Sequence, residues 1–276
     1  MKIWICTDME GLGGVDSYAQ CYPSGRQEAG YLEALEELTI ETNAAVSGAF
    51  DGGATEVWVL DGHGFNNGHG FTSKLDGRAR VVPPLQPGSL WEGLDAETSG
   101  VVIIGQHAKA GTQCGFLTHT ESIEQIQRYR VNGHEAGELE MLALYAGGFG
   151  VPVLFASGDE ALCREARELL PRISAVATKT GLSWDRCRLY DVAEVRQRIR
   201  AEVTLALGRE RRAPLRYPPP FILEIEYKET RHADALTRTA AVRRINARPI
   251  RWQIEDARDI FLSPMSASKS VISSEE

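Results

Sequence analysis

The stretch "CTDMEGLGG", residues 6–14, follows the apolar run "KIWI" and sets Asp8 and Glu10 two positions apart. Residues two apart in a strand face the same side, so these carboxylates repel unless something neutralises them. Five of the six histidines, His63, His69, His107, His119 and His134, fall between residues 63 and 134. Two of them share the setting of Asp8 and Glu10. His63 follows the β-rich run "EVWVLD" in "DGHG", and His107 follows "VVIIG" in "GQHA". A lone histidine or aspartate at a strand end is usually a hydrogen-bonded structural residue or a turn residue. Asp, Glu, His and His at three strand ends form a donor set for a divalent cation with oxygen and imidazole ligands.

Other residues bear on the same chemistry. Glu138, in "NGHEAGELE", opens a helical pattern, where a carboxylate gains from the helix N-terminus. Glu135 and Glu140 are equally acidic neighbours, and the pattern does not separate the three. Five protein ligands exceed what one catalytic zinc takes. They suit two metals about 3.5–4 Å apart that share a carboxylate, and Asp8, first off its strand, is the natural bridge. Asp61 either orients the His63 imidazole or caps the turn. His119, in "GFLTHTES", lies beyond a loop rather than at a strand end. It is either a proton donor or acceptor beside the metals or an exposed loop residue. His69 and His134 read as members of solvated loops.

The elements that must position these residues alternate in kind. "KIWICTD", "TEVWVLD", "ARVVPP", "GVVIIGQHA" and "VPVLFASGD" read as strands. Leu32, Leu35, Leu38, Ala45, Val46 and Ala49 follow a helical period, and "GELEMLALYAGG" and "DEALCREARELLP" read as further helices. This alternation predicts an α/β fold with a largely parallel sheet flanked by helices. Ligands of such sheets bind where strand C-terminal ends share one edge, so Asp8, Glu10, His63 and His107 are expected to converge. After the amphipathic run "DVAEVRQRIRAEVTLALG", "RYPPP" reads as a linker. "FILEIEY" and "RPIRWQIE" then alternate like half-exposed strands. The expected organisation is a metal-binding catalytic domain over 1–213, a smaller α+β subdomain over 214–262, and a tail over 263–276.

Composition sets bounds. The 276 residues are 43% hydrophobic and 25% charged, with a net charge of −8, which is an ordinary globular balance. Residues 1–160 hold 8 Lys and Arg against 22 Asp and Glu, and residues 161–276 hold 22 against 16. The arginines of "RQRIR" and "GRERRAPLR" are interleaved with acids and carry no nucleic-acid motif. No segment reaches the ~20 apolar residues of a membrane span. There is no basic and apolar leader at the start, so the expected location is cytoplasmic, with no membrane or nucleic-acid partner. Five widely spaced cysteines form no CxxC pair, which argues against a disulfide framework or a thiolate zinc site.

In order, "DMEG" (8–11), "DGH" (61–63), "GQHA" (105–108), "TH" (118–119), "GELE" (137–140) and "VPVLFASGD" (151–159) resemble the M55 family of D-aminopeptidases. The resemblance covers residues 1–210 by motif. It implies a dinuclear zinc site on Asp8, Glu10, His63, His107 and Glu138, with His119 as the catalytic histidine. It further implies hydrolysis of short peptides or amides with an N-terminal D-residue, and a ring-shaped homo-oligomer such as a decamer. Two departures stand out. "DGH" replaces a more usual "DSH", and Trp184 and Asp185 in "KTGLSWDRCRLY" replace a more basic and aliphatic pattern. Two rivals share the same donor set. One is a two-metal phosphoesterase, although "GLGG" and "GHGFNNGHG" fit no phosphate-loop pattern. The other is a non-catalytic metal-containing binding or assembly protein.

Overall fold

The structure is a computed structural model that describes the chain except residues 26–27, 65–69, 85–88, 210–211, 239–241 and 262–276. His69 and the 263–276 tail therefore lie outside the described residues. On β1 (Lys2–Thr7), Ile3 and Ile5 enter one apolar core while Trp4 and Cys6 enter another, because successive strand side chains point to opposite faces. β1 is followed by α1 (Tyr18–Cys21), α2 (Ala29–Asp51), β2 (Glu56–Asp61), β3 (Ala79–Val81) and β4 (Thr98–Gln106). Next come β5 (Ile126–Val131), β6 (His134–Glu135), α3 (Glu138–Gly148), β7 (Val153–Asp159), α4 (Glu160–Leu169), β8 (Ser174–Ser183) and β9 (Arg186–Leu189). The last elements are α5 (Val192–Gly208), β10 (Phe221–Tyr227), α6 (Thr230–Leu236), β11 (Arg243–Arg244), β12 (Pro249–Ile254) and a 3-10 turn at Ala257–Asp259.

The main sheet has the order β3-β2-β1-β4-β7-β8-β9 and is parallel except for β9, which runs antiparallel to β8. The fold is thus α/β with a mostly parallel sheet flanked by helices. Near-continuous burial of β4 and β7 is what strands covered on both faces require. Helices α2 and α5 cover one face. Leu38, Ala45, Val46 and Ala49 of α2 and Val195, Ile199 and Val203 of α5 share its core. Leu32 is exposed and takes no part in it. The chain steps outward from β1 through β2 to β3, then returns to β1's other side as β4. That reversal makes the β1/β4 edge a topological switch point, where a crevice opens beyond the strand ends.

A second sheet, of order β11-β12-β10-β5-β6, covers the other face together with α3. The expected boundary at residue 213 does not separate the two sheets. β5 and β6, from the first part of the chain, pair with β10 from the last part, as in Leu223 opposite Val131. The cause lies in the burial of β5, whose Ile126, Tyr129 and Val131 face inward and share a core with Leu223, Ile225, Ile250 and Trp252. "FILEIEY" and "PIRWQI" do alternate as half-exposed strands. Among the described residues, no helix is long and apolar enough to cross a membrane.

Candidate functional site

The strand ends deliver their residues to one point. Asp8 leaves β1, and its N–H donates to the Ile104 carbonyl of β4 (2.8 Å). Gly11 N–H donates to the Gly105 carbonyl (2.7 Å). This approach is backbone against backbone. A Cβ on Gly11 would lie 2.2 Å from the Gln106 carbonyl oxygen, and one on Gly105, at φ +70°, would lie 2.3 Å from that of Asp8. Glycine at both positions is therefore a steric requirement.

Asp8, Glu10 and His63 form one cluster and His107, His119 and Glu138 a second, with ligand atoms in each within 4.8 Å of one another. Asp8 faces both. Its Oδ1 is 3.0 Å from His63 Nδ1, and its Oδ2 is 3.4 Å from His107 Nε2. Glu10 Oε2 lies 3.2 Å from His63 Nδ1, and Glu138 Oε1 lies 3.4 Å from His107 Nε2.

Each histidine is oriented by a main-chain carbonyl. His63 Nε2 donates to Cys21 O (3.1 Å), His107 Nδ1 to Ala108 O (3.0 Å) and His119 Nδ1 to Leu117 O (2.8 Å). A carbonyl only accepts, so each outer nitrogen carries a hydrogen, and the inner nitrogen is the one left to offer a lone pair to a cation once it has lost its proton. This is the outer-shell arrangement typical of metal-ligating imidazoles. Two inward atoms, Glu10 Oε2 and His107 Nε2, are buried without a hydrogen bond. Buried polar atoms are otherwise nearly always satisfied. The donor set of three carboxylates and inward imidazoles fits divalent cations of the zinc type.

Charge points the same way. Burial and the adjacent Glu10 charge push the Asp8 carboxyl up to about 8. Burial also works against Glu138, but the charges of His107 and His119 and nearby hydrogen bonds outweigh it and bring that carboxyl down to about 2. Burial opposes charge on His63 and His107, yet the surrounding carboxylates hold both well above the ordinary imidazole range. A cation would take over this neutralisation and release the protons.

His119 is buried rather than exposed, although it lacks a strand end. Its loop is held in place by left-handed Leu117 (φ +49°) and Glu121 (φ +63°) on either side. The Leu117 N–H donates to the Trp184 carbonyl (2.6 Å) and the Glu121 N–H to Glu138 Oε1 (2.7 Å). The Trp184 indole donates to the Thr118 carbonyl (3.2 Å). Trp184 thus braces the loop that carries His119. The His119 ring stacks on His107, with centroids 3.8 Å apart. Burial and the His107 charge push its imidazole down to about 4.

Asp61 Oδ2 accepts the Gly70 N–H (2.6 Å), and the Cys21 carbonyl accepts from the His63 ring (3.1 Å). His134 is exposed on β6 and contacts Glu140 (2.6 Å), which also accepts from the Tyr217 hydroxyl (2.8 Å). Glu135 pairs with Arg128 (2.9 Å). Among the three glutamates, Glu138 is the one that reaches the cluster.

Sequence reasoning passed over several residues. The Gln106 amide donates to Asp8 Oδ2 (2.7 Å) and Glu138 Oε2 (3.2 Å), tying the clusters together. The Tyr22 hydroxyl donates to Glu10 and stands 3.3 Å from His119 Nε2. Lys179, fully buried on β8, donates to the Glu10 carbonyl (2.6 Å) and to that of Val15. Glu41, buried on α2, accepts the Gly13 N–H (2.9 Å), and burial pushes its carboxyl up to about 7. A lysine at an inward strand position was the one visible signal among these. Lys179→Met leaves two buried carbonyls without their donor and removes the cation near Glu41. It is expected to cost about 3 kcal/mol of stability and to loosen metal retention. Thermal unfolding and metal analysis of the variant check both.

The peptidase M55 family model, described as D-aminopeptidase, matches residues 1–263. A D-aminopeptidase of Bacillus subtilis (strain 168) is 32% identical over 235 residues, covering 82% of this chain and 81% of that protein. The solved structure of a "Zn-dependent D-aminopeptidase DppA from Bacillus subtilis, a self-compartmentalizing protease" superposes with a TM-score of 0.88 at 27% identity. That alignment covers 98% of this chain and 97% of the other.

Proposed function

We propose, from the premise that this chain belongs to the M55 family of D-aminopeptidases, that it is a dinuclear zinc aminopeptidase acting on short peptides or amides with an N-terminal D-residue. The observation that carries this is Asp8, whose two oxygens face two clusters of inward-pointing ligands. In this reading Asp8, Glu10 and His63 would hold one metal, and Asp8, His107 and Glu138 would hold the other. When bound, zinc supplies Lewis acidity toward a carbonyl oxygen and makes water more acidic.

His119 is assigned to proton transfer. Its Nε2 is 3.9 Å from the Glu138 oxygen, farther than His107, and 3.3 Å from the Tyr22 hydroxyl. Kept unprotonated by burial, Nε2 takes a proton from the attacking water and returns it to the leaving amine. Gln106 holds the carboxylates of Asp8 and Glu138 in place, and Glu121 and Glu124 put negative charge along the cavity where a substrate ammonium enters.

By analogy with its self-compartmentalizing structural neighbour, we assign the chain a ring-shaped homo-oligomer such as a decamer. Exposed Leu182, Trp184 and Leu205 supply apolar surface for subunit contacts. Five free cysteines support a reducing, cytoplasmic location.

The test is a matched panel of D- and L-aminoacyl amides with phosphate esters alongside, combined with metal analysis. Cleavage of D-aminoacyl amides by protein holding two zinc ions per chain is expected. Turnover of phosphate esters alone, or none on either panel, overturns the assignment.

A further inference from the structure

The metal cluster supplies only part of the lining of its cavity. The cavity has a volume of about 320 Å³ and is lined by Asp8, His63, His119 and Glu138 and by an apolar arm of Leu60, Trp91, Tyr129, Met141, Leu142 and Ile260. All six arm residues are less than 9% exposed. Its more exposed lining is Tyr22, Ser122 and Ile123, which are partly exposed, and Glu124, which is exposed. The apolar arm follows from the periodicity that places the ligands. Met141 and Leu142 stand three and four residues after Glu138 on α3, which puts all three on one helix face. Leu60 is the next-to-last residue of β2, the strand that leads to His63.

We infer that this arm receives the side chain of the substrate's N-terminal residue, and that the enzyme prefers a large apolar or aromatic one, of the leucine or phenylalanine class, over alanine. The inference rests on the aminopeptidase reading above. An aminopeptidase places one residue on the closed side of the scissile bond and lets the rest of the chain leave by the mouth. That residue's α-carbon carries both an ammonium and a side chain, and the cavity offers carboxylates for the first and an apolar arm for the second. A methyl group would leave most of the arm unfilled, whereas close packing against apolar walls is where binding energy is gained. A single methylene in such a pocket changes specificity by roughly 10-fold or more.

The experiment compares kcat/KM for D-alanyl, D-leucyl and D-phenylalanyl amides on the zinc-loaded protein. It also measures calorimetric binding of the non-cleavable probes D-alaninol and D-phenylalaninol. D-Leu or D-Phe is expected to lead D-Ala by roughly 10-fold or more, and D-phenylalaninol is expected to bind tighter than D-alaninol. In Leu142→Trp, which fills the arm, the D-Phe to D-Ala ratio is expected to fall about 10-fold; should that variant not fold, the unsubstituted series decides. Preferred cleavage of D-Ala overturns the arm assignment while leaving the peptidase reading intact. Tight D-phenylalaninol binding with no turnover of any amide supports the arm and overturns the peptidase reading.

Discussion

Asp8→Asn is expected to leave a folded protein that cannot keep its metals. The side chain retains its shape but loses its charge. Asp8 Oδ1 faces His63 and accepts the Met9 N–H (2.9 Å), and Oδ2 accepts the Gln106 amide (2.7 Å). Whichever way the new amide turns, its NH₂ meets groups that need an acceptor. Both clusters lose their shared ligand in one step. Metal analysis after dialysis should fall from two ions per chain to less than one. Activity should fall about a thousand-fold or more, since metal polarisation supplies several kcal/mol at 1.36 kcal/mol per decade of rate. Two ions retained per chain would reject Asp8 as the bridge.

His119→Ala separates chemistry from coordination. Here the metal content should stay at two per chain while kcat drops by about 10²- to 10⁴-fold, the usual range for a lost proton-transfer group. The geometry makes this a sharp test, because the His119 ring is near enough to His107 and Glu138 to be grouped with them as a possible ligand. Loss of one metal would move His119 into the ligand set. Full activity would remove it from the mechanism.

Much of the site was legible because its residues stand at places with local signatures. Asp8, Glu10, His63 and His107 each follow a short β-rich run, and parallel strands bring such ends to a common edge. His119 had no such signature. Its position comes from two left-handed residues and from contacts with Trp184 and Glu138 that only the folded chain creates. Gln106 stood inside a quoted motif, but its role depends on two carboxylates distant in the chain. Tyr22, Lys179 and Glu41 act through contacts across the fold, which no spacing encodes. The same limit applied to the second sheet. The alternation in "FILEIEY" announced a strand, but nothing local announced that β5 would be its partner.

That pairing also sets when the enzyme can come into being. All five proposed ligands have been synthesised by residue 138, yet the cavity they open into is walled in part by Ile260 and Phe261. β5 likewise waits for β10 to complete its sheet. A nascent chain therefore carries a full set of ligands long before it has a binding cavity. Peptide hydrolysis is expected only once translation has passed β12 and Ile260.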